Sequence, residues 1–332
     1  MEPVPKVELH LHLDCAASYA AVAALAPETT FAEYRREIVG PPRSSDLADL
    51  LRRPRRIVAL MQDRRGLQVI VEDLFDQLAR DAVAYAELRF APYQHTQGGM
   101  RVEEVVAEVE RDAAAAAAAT QVEARLLLCT LRHFPPDWSM RTAELVREFQ
   151  GSLVAGLDIA GDEAGFPLGP HVEAFRYAME HGLARTAHAG ESLGPASVWE
   201  TLRQLRPSRL GHGARSIEDP ALVAHLARRQ IHLEVCPSSN VLTGMVARYA
   251  DHPVDRLYRA GVPLGISTDV RTMTGTTLSG EYERLRDTFG WRREDLLRCN
   301  QAALAAAFVP EQVRRRVAAR LGRAGGTAAR RG

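Results

Sequence analysis

The stretch VELHLHLD at residues 7–14 sets His10 and His12 two residues apart, with Asp14 two further on. In an extended strand residues i and i+2 share a face, so both imidazoles point into one space. The same residue types recur at the ends of later apolar runs. They are Asp158 with the turn AGDE (160–163), His188 with Glu191 three residues on, His212 between two glycines, the turn CPSSN (236–240), and Asp269. Imidazoles and a carboxylate converging from His10, His12, His188 and Asp269 suit one divalent metal, zinc or a related ion, and leave room for a water. Zinc lowers the pKa of such a water to about 7. Each residue also has an ordinary structural reading. A lone histidine at a strand end is more often a hydrogen-bonded packing residue, and His95, His133, His171, His181, His225, His232 and His252 are read that way. Glu191 and Asp14 taken singly fit a helix cap or a turn carboxylate, and His212 fits packing between its glycines. The joint pattern, with every ionisable group at the same end of its run, favours a site.

Eight short runs must position these groups: 6–13, 83–90, 124–131, 153–160, 183–190, 209–213, 231–236 and 263–269. Helical patterns lie between them, including a helix-forming alanine run at 113–119. Strands alternating with helices predict parallel βα units, and eight of them predict a closed (β/α)8 TIM-type barrel with its chemistry at the C-terminal ends of the strands. No linker divides the 332 residues, so a single domain is expected over 1–322, with a disordered tail at 323–332. Residues 17–80 form a long helical insertion after strand 1, where a lid would sit. Lys plus Arg (42) equals Asp plus Glu (42), which favours neither nucleic acid nor membrane. Four scattered cysteines without a CxxC pair, no apolar leader and no 18-residue apolar run point to a cytoplasmic protein.

PKVELHLHLD (5–14), YAELRFAP (85–92), GLDIAGDE (156–163), HAGE (188–191), RLGHG (209–213), EVCPSSN (234–240) and STD (267–269) together resemble the adenosine deaminase family of metal-dependent amidohydrolases, in register from residue 5 to about 305. The resemblance implies that His10, His12, His188 and Asp269 hold one zinc. It implies that Glu191 protonates the ring nitrogen beside the amino-bearing carbon, and that His212 takes or steers the proton of the water at the metal. Gly161 would contact the purine through its backbone and Asp14 would meet the ribose.

Three positions near the substrate depart from that family's pattern. Val270 stands where a second aspartate, the partner of purine N7, is usual, and Arg271 follows it. Losing one such buried hydrogen bond costs roughly 1–3 kcal/mol. Cys15 replaces a glycine and is read as a small packing residue rather than a nucleophile. The lid reads LLRRPRRIVALMQDRR (50–65), whose arginines are either a solvated face or an anion clamp. These departures predict an adenosine-like small-molecule substrate other than adenosine, with an altered N7 face or an acidic group on the sugar side, such as aminodeoxyfutalosine or a nucleotide. Val270 and Arg271 are its expected specificity residues. The alternatives are deamination of another heterocycle, such as a pterin, and a zinc-bound non-catalytic binding protein. The H-x-E…P-C-x-x-C motif of nucleic-acid base deaminases is absent.

Overall fold

The strands follow one another around a single sheet in the order β1 to β8, every neighbouring pair parallel. They are β1 (Lys6–His12), β2 (Val83–Phe90), β3 (Glu123–Leu131), β4 (Val154–Ala160), β5 (Ala184–Ala189), β6 (Arg209–His212), β7 (His232–Val235) and β8 (Leu264–Ile266). The structure, a computed structural model, describes residues 4–326. Just past β8 the ring closes onto β1: the His12 N–H donates to the Asp269 carbonyl and the Asp269 N–H to the His10 carbonyl, both at 3.0 Å. This is the expected (β/α)8 barrel. Among the described residues no helix is long and apolar enough to cross a membrane.

The period of two in β1 sorts its side chains. Val7 and Leu9 pack outward on Ala303, Leu304, Val317 and Leu321. Glu8 and His10 turn inward, and there the barrel is charged rather than aliphatic. Arg89 of β2 donates to Asp158 of β4 (2.7 Å) and Glu234 of β7 (2.6 Å). Arg209 of β6 reaches Glu234 (2.5 Å) and Glu87. Three of these four contacts join non-adjacent strands and so run through the barrel interior, and all five side chains are fully buried. Buried charges persist only when paired in this way.

The insertion between β1 and β2 ends earlier than the sequence suggests. Its last helix, Arg64–Arg80, buries Leu67, Ile70, Val71, Leu74, Phe75 and Leu78, and is the barrel's own β1-to-β2 crossover helix. The pieces before it, among them Leu47–Leu50 and Arg55–Leu60, lie over the C-terminal mouth. At the other end of the chain, the helix Glu311–Gly326 runs four residues into the segment expected to be disordered, and 327–332 lie outside the described residues.

One interior carboxyl makes stability depend on pH. Glu281 is completely buried, accepts a hydrogen bond from the Tyr249 hydroxyl (2.8 Å), and is pushed by burial up to about 7. A carboxyl raised above its unfolded value of 4.5 binds its proton more tightly in the folded state. Its contribution is complete below about 4.5 and is lost as pH rises through about 7. Glu281→Gln should therefore be more stable than the wild type at pH 8, by on the order of 3 kcal/mol. Urea melts of both proteins should show that difference shrinking toward zero as pH falls to about 4.5.

Candidate active site

Four side-chain atoms meet at the C-terminal mouth. His12 Nε2 and His188 Nε2 lie 3.2 Å apart, and Asp269 Oδ1 lies 3.3 Å from His12 Nε2 and 3.4 Å from His10 Nε2. Tetrahedral zinc with bonds of 2.0–2.1 Å requires ligand atoms about 3.3–3.4 Å apart. The opposite ring nitrogens are taken: His10 Nδ1 pairs with Glu234 Oε2 (2.8 Å) and His188 Nδ1 with Asp158 Oδ1 (3.3 Å). Both rings therefore carry their proton on Nδ1 and turn an Nε2 lone pair inward. His10 Nε2 is buried without a hydrogen-bond partner. Lone pairs facing one another in a buried space fit a cation between them. Burial holds His12 well below the usual imidazole range and lowers His188, which keeps both rings neutral for ligation. Burial alone would raise Asp269, yet the imidazoles of His10, His212 and His12 packed against it hold it well below the carboxylate range. Its other oxygen accepts from Ser239 Oγ (2.6 Å).

Backbone shape brings these groups together. Gly211 of β6 lets the His10 ring lie flat against the strand, since a Cβ there would sit 2.8 Å from His10 Cε1. His212 (φ 57°), the last residue of β6, and Asp269 (φ 63°), three residues past β8, lie in the left-handed region, an uncommon conformation that recurs at functional sites.

Glu191 and His212 complete the site. Glu191 Oε2 lies 3.5 Å from His212 Nε2, which is 3.9 Å from Asp269 Oδ2. Burial, then the charges of Asp269 and Glu163, push the Glu191 carboxyl well above its ordinary range, which favours its protonated form. Burial drives His212 well below the imidazole range. The turn carrying Glu191 is clamped by Glu163, whose carboxylate accepts from the backbone N–H groups of Gly190, Glu191, Ser192 and Leu193 and from Ser197 Oγ.

The substrate-side expectations divide. Gly161 (φ 102°) and Val270 line the inner cavity beside His12, His188, Glu191, His212 and Asp269, with Leu47, Leu50 and Met273 supplying apolar wall. Cys15 lines it too, and burial followed by the Asp14 charge raises its thiol well above the ordinary range, which removes it as a nucleophile. Asp14 is absent from that lining. Its carboxyl, raised by burial to about 6, faces Cys15 Sγ (3.6 Å) and His95 Nε2 (3.9 Å). Arg271 must be corrected. It begins the short helical turn Arg271–Thr274, and its guanidinium is buried on Glu8 (2.7 Å) and Asp81 (3.1 Å), because a charge at that depth has to be paired. It does not reach the cavity.

The lid arginines also separate. Arg53 is buried and ties the loop together through the carbonyls of Val39 and Pro41 and Ser44 Oγ. Arg56 pairs with Glu37 and Arg64 with Glu108. Arg52 and Arg55, with His133, line an outer cavity of about 610 Å³ that meets the inner one at Leu51, Pro54 and Gly161.

Sequence reasoning left Glu234, Arg89, Ser239, Asn240 and Glu163 without roles. The signals were present: Glu234 shares a strand face with positions two apart, and Ser239 and Asn240 belong to a turn already marked as polar.

The family model for adenosine deaminase matches residues 5–324. Adenosine deaminase 1 of Streptomyces coelicolor is 34% identical over 330 residues, which cover 92% of this chain and 83% of that protein. An amidohydrolase from Burkholderia ambifaria with bound zinc has a TM-score of 0.88 at 24% identity, over 98% of this chain and 93% of the other. Arabidopsis ADAL complexed with IMP has the same TM-score and identity, over 98% of both chains.

Proposed function

The chain belongs to the adenosine deaminase family and is a hydrolytic deaminase, and we propose that it converts the exocyclic C–NH2 of a purine-like small molecule to C=O with release of ammonia. The observation that carries this reading is the convergence of the Nε2 atoms of His10, His12 and His188 with the Asp269 carboxylate, beside a Glu191 carboxyl that burial raises. One zinc would be held by His10, His12, His188 and Asp269. When bound, it supplies the Lewis acidity that lets water act as a nucleophile near neutral pH.

The chain's own residues perform the rest. Glu191 gives its proton to the ring nitrogen next to the amine-bearing carbon, drawing electrons from that carbon as the new C–O bond forms. His212 contacts the attacking oxygen and fixes its approach. The proton that the attacking water loses restores Glu191; the proton of the new hydroxyl then passes to the amine as C=O forms, the C–N bond breaks and ammonia leaves. The Gly161 backbone and the apolar wall of Leu47, Leu50, Val270 and Met273 exclude water around the ring.

Two observations favour an adenosine derivative over adenosine itself. Val270 offers the ring edge no hydrogen bond, and the outer cavity carries Arg52 and Arg55, which suit an anionic group on the sugar side. Arg55 makes no ion pair among the described residues. Ammonia release from adenosine, AMP, adenine and 7-deazaadenosine by the zinc-loaded protein tests both levels of the reading. Zinc-dependent release is expected, with kcat/KM for AMP roughly tenfold above adenosine, the size of one charge-assisted contact. Arg55→Gln should erase that preference. Equal or faster turnover of adenosine would remove the anionic reading, and silence across the panel with zinc bound would remove the purine reading.

A further inference from the structure

A file of buried hydrogen bonds reaches His212 from behind. It starts at a donor whose direction is not in doubt: the backbone N–H of Val254 donates to His252 Nδ1 at 3.1 Å. That nitrogen therefore carries no proton. His252 is 2% exposed and burial lowers it to about 3, so the ring is neutral and its one proton sits on Nε2. From there it donates to Asn240 Oδ1 at 3.1 Å. The Asn240 amide, completely buried, is thereby oriented, and its Nδ2 faces His212 Nδ1 at 3.2 Å. Turning the amide over would set N–H against N–H at His252. An amide nitrogen only donates, so His212 accepts at Nδ1. Its neutral ring then holds its proton on Nε2, the nitrogen that looks into the site 3.5 Å from Glu191 and 3.9 Å from Asp269.

We propose that Asn240 and His252 are positioning residues that lock His212 in the Nε2–H tautomer, so that it offers the attacking oxygen a hydrogen-bond donor and not a lone pair. The placing of that oxygen rests on the deaminase reading above; the tautomer does not. His212 in this form orients the oxygen and stabilises charge developing on it, and it cannot take up a proton at Nε2. Tautomer control of this kind carries large effects. In the serine-protease triad, changing the carboxylate behind the histidine to an amide lowers kcat by about 10⁴ through the wrong tautomer. Here the native partner is the amide, so the informative change is the reverse one.

The first test needs no variant. Proton-coupled nitrogen NMR of the zinc-loaded full chain with labelled histidine, with the His212 signals assigned by their loss in His212→Gln, is expected to show Nε2 protonated and Nδ1 bare. A proton on Nδ1 overturns the proposal. The second test is Asn240→Asp, which keeps the shape but leaves only acceptors facing His212 and so draws the proton to Nδ1. It should lower kcat by about 10²-fold or more, with KM within about twofold and zinc content unchanged, and the NMR signals should report the switched tautomer. Wild-type kcat in that variant overturns the proposal. A third comparison applies if the aspartate variant does not fold. His252→Gln keeps a donor for Asn240 and should retain most of the activity that His252→Leu loses, whereas equal losses in the two argue against the relay. Should the wild type release no ammonia from any purine, the deaminase reading fails while the NMR result still decides the tautomer.

Discussion

Glu191→Gln is expected to lower kcat by about 10²–10⁴-fold, the usual contribution of a positioned general acid, while the protein still binds one zinc and folds normally. Glutamine matches the shape of the carboxyl and can still donate a hydrogen bond, but it has no proton to transfer. The turn that carries the residue is held through the four successive backbone N–H groups clamped by Glu163, which the substitution leaves in place. Nor does the side chain belong to either cluster of side chains spaced to hold a metal, His10 with His12 and His188, or His10 with His212 and Asp269. Stopped assays of ammonia release, with metal content and a thermal melt on the same samples, separate the possibilities. A fall in kcat with full zinc content assigns the proton to Glu191. Activity within a few-fold of wild type would hand that role to another group. Loss of zinc along with activity would make Glu191 part of the metal's support.

The parts of this site that were legible in the sequence share a physical cause. A strand fixes the direction of its side chains with a period of two, so HLH already determines that His10 and His12 share a face, and the β1 packing of Val7 and Leu9 outward follows from the same rule. The ends of the strands were legible for a related reason: apolar runs stop where the chain leaves the barrel. Arg271 shows where that reasoning stops. It follows Asp269 by two residues, which in a strand would put both on one side, but the chain has already turned into a helical turn there. Its partners, Glu8 and Asp81, lie 263 and 190 positions away, and no local pattern announces them. The insertion's boundary was missed because an amphipathic crossover helix and an amphipathic lid helix have the same periodicity; only packing against the barrel distinguishes Arg64–Arg80 from the pieces before it. The charged barrel interior was half legible. Glu87 and Arg89 alternate with apolar residues in YAELRF, yet a single sequence does not say which of two faces of a fully buried strand looks toward the axis.

That interior leads to the second large effect, which is expected from Arg89→Met. Arg89 touches none of the four proposed ligand residues, but it joins the two carboxylates that orient two of them. One of its nitrogens binds Asp158, the partner of His188 Nδ1, and the other binds Glu234, the partner of His10 Nδ1, as well as the Leu9 carbonyl (2.6 Å). Methionine fills much of the same volume and removes the charge. Glu234 keeps the cation of Arg209 (2.5 Å), whereas Asp158 keeps the His188 imidazole, the Ile159 backbone N–H (2.8 Å) and a long contact from Cys129 Sγ (3.7 Å), with no permanent cation among them. Breaking a buried pair from one side typically costs 3–5 kcal/mol, because the remaining charge is left without compensation. Asp158 relieves that cost most simply by binding a proton or by drawing the imidazole into the charged state, and either change disturbs the Nε2 lone pair that ligation needs. Outer partners of metal-binding histidines are worth about 10–100-fold in affinity, so Arg89→Met should release zinc to a competing chelator at correspondingly lower chelator concentration. Urea melts with and without zinc distinguish the two consequences. A purely structural arginine lowers the metal-free and the zinc-loaded protein by the same amount. The geometry predicts an additional loss confined to the zinc-loaded form, larger at Arg89→Met than at Arg89→Lys, which restores the charge but spans only one of the two carboxylates. Equal losses in both forms, with unchanged chelator competition, would reduce Arg89 to a packing role.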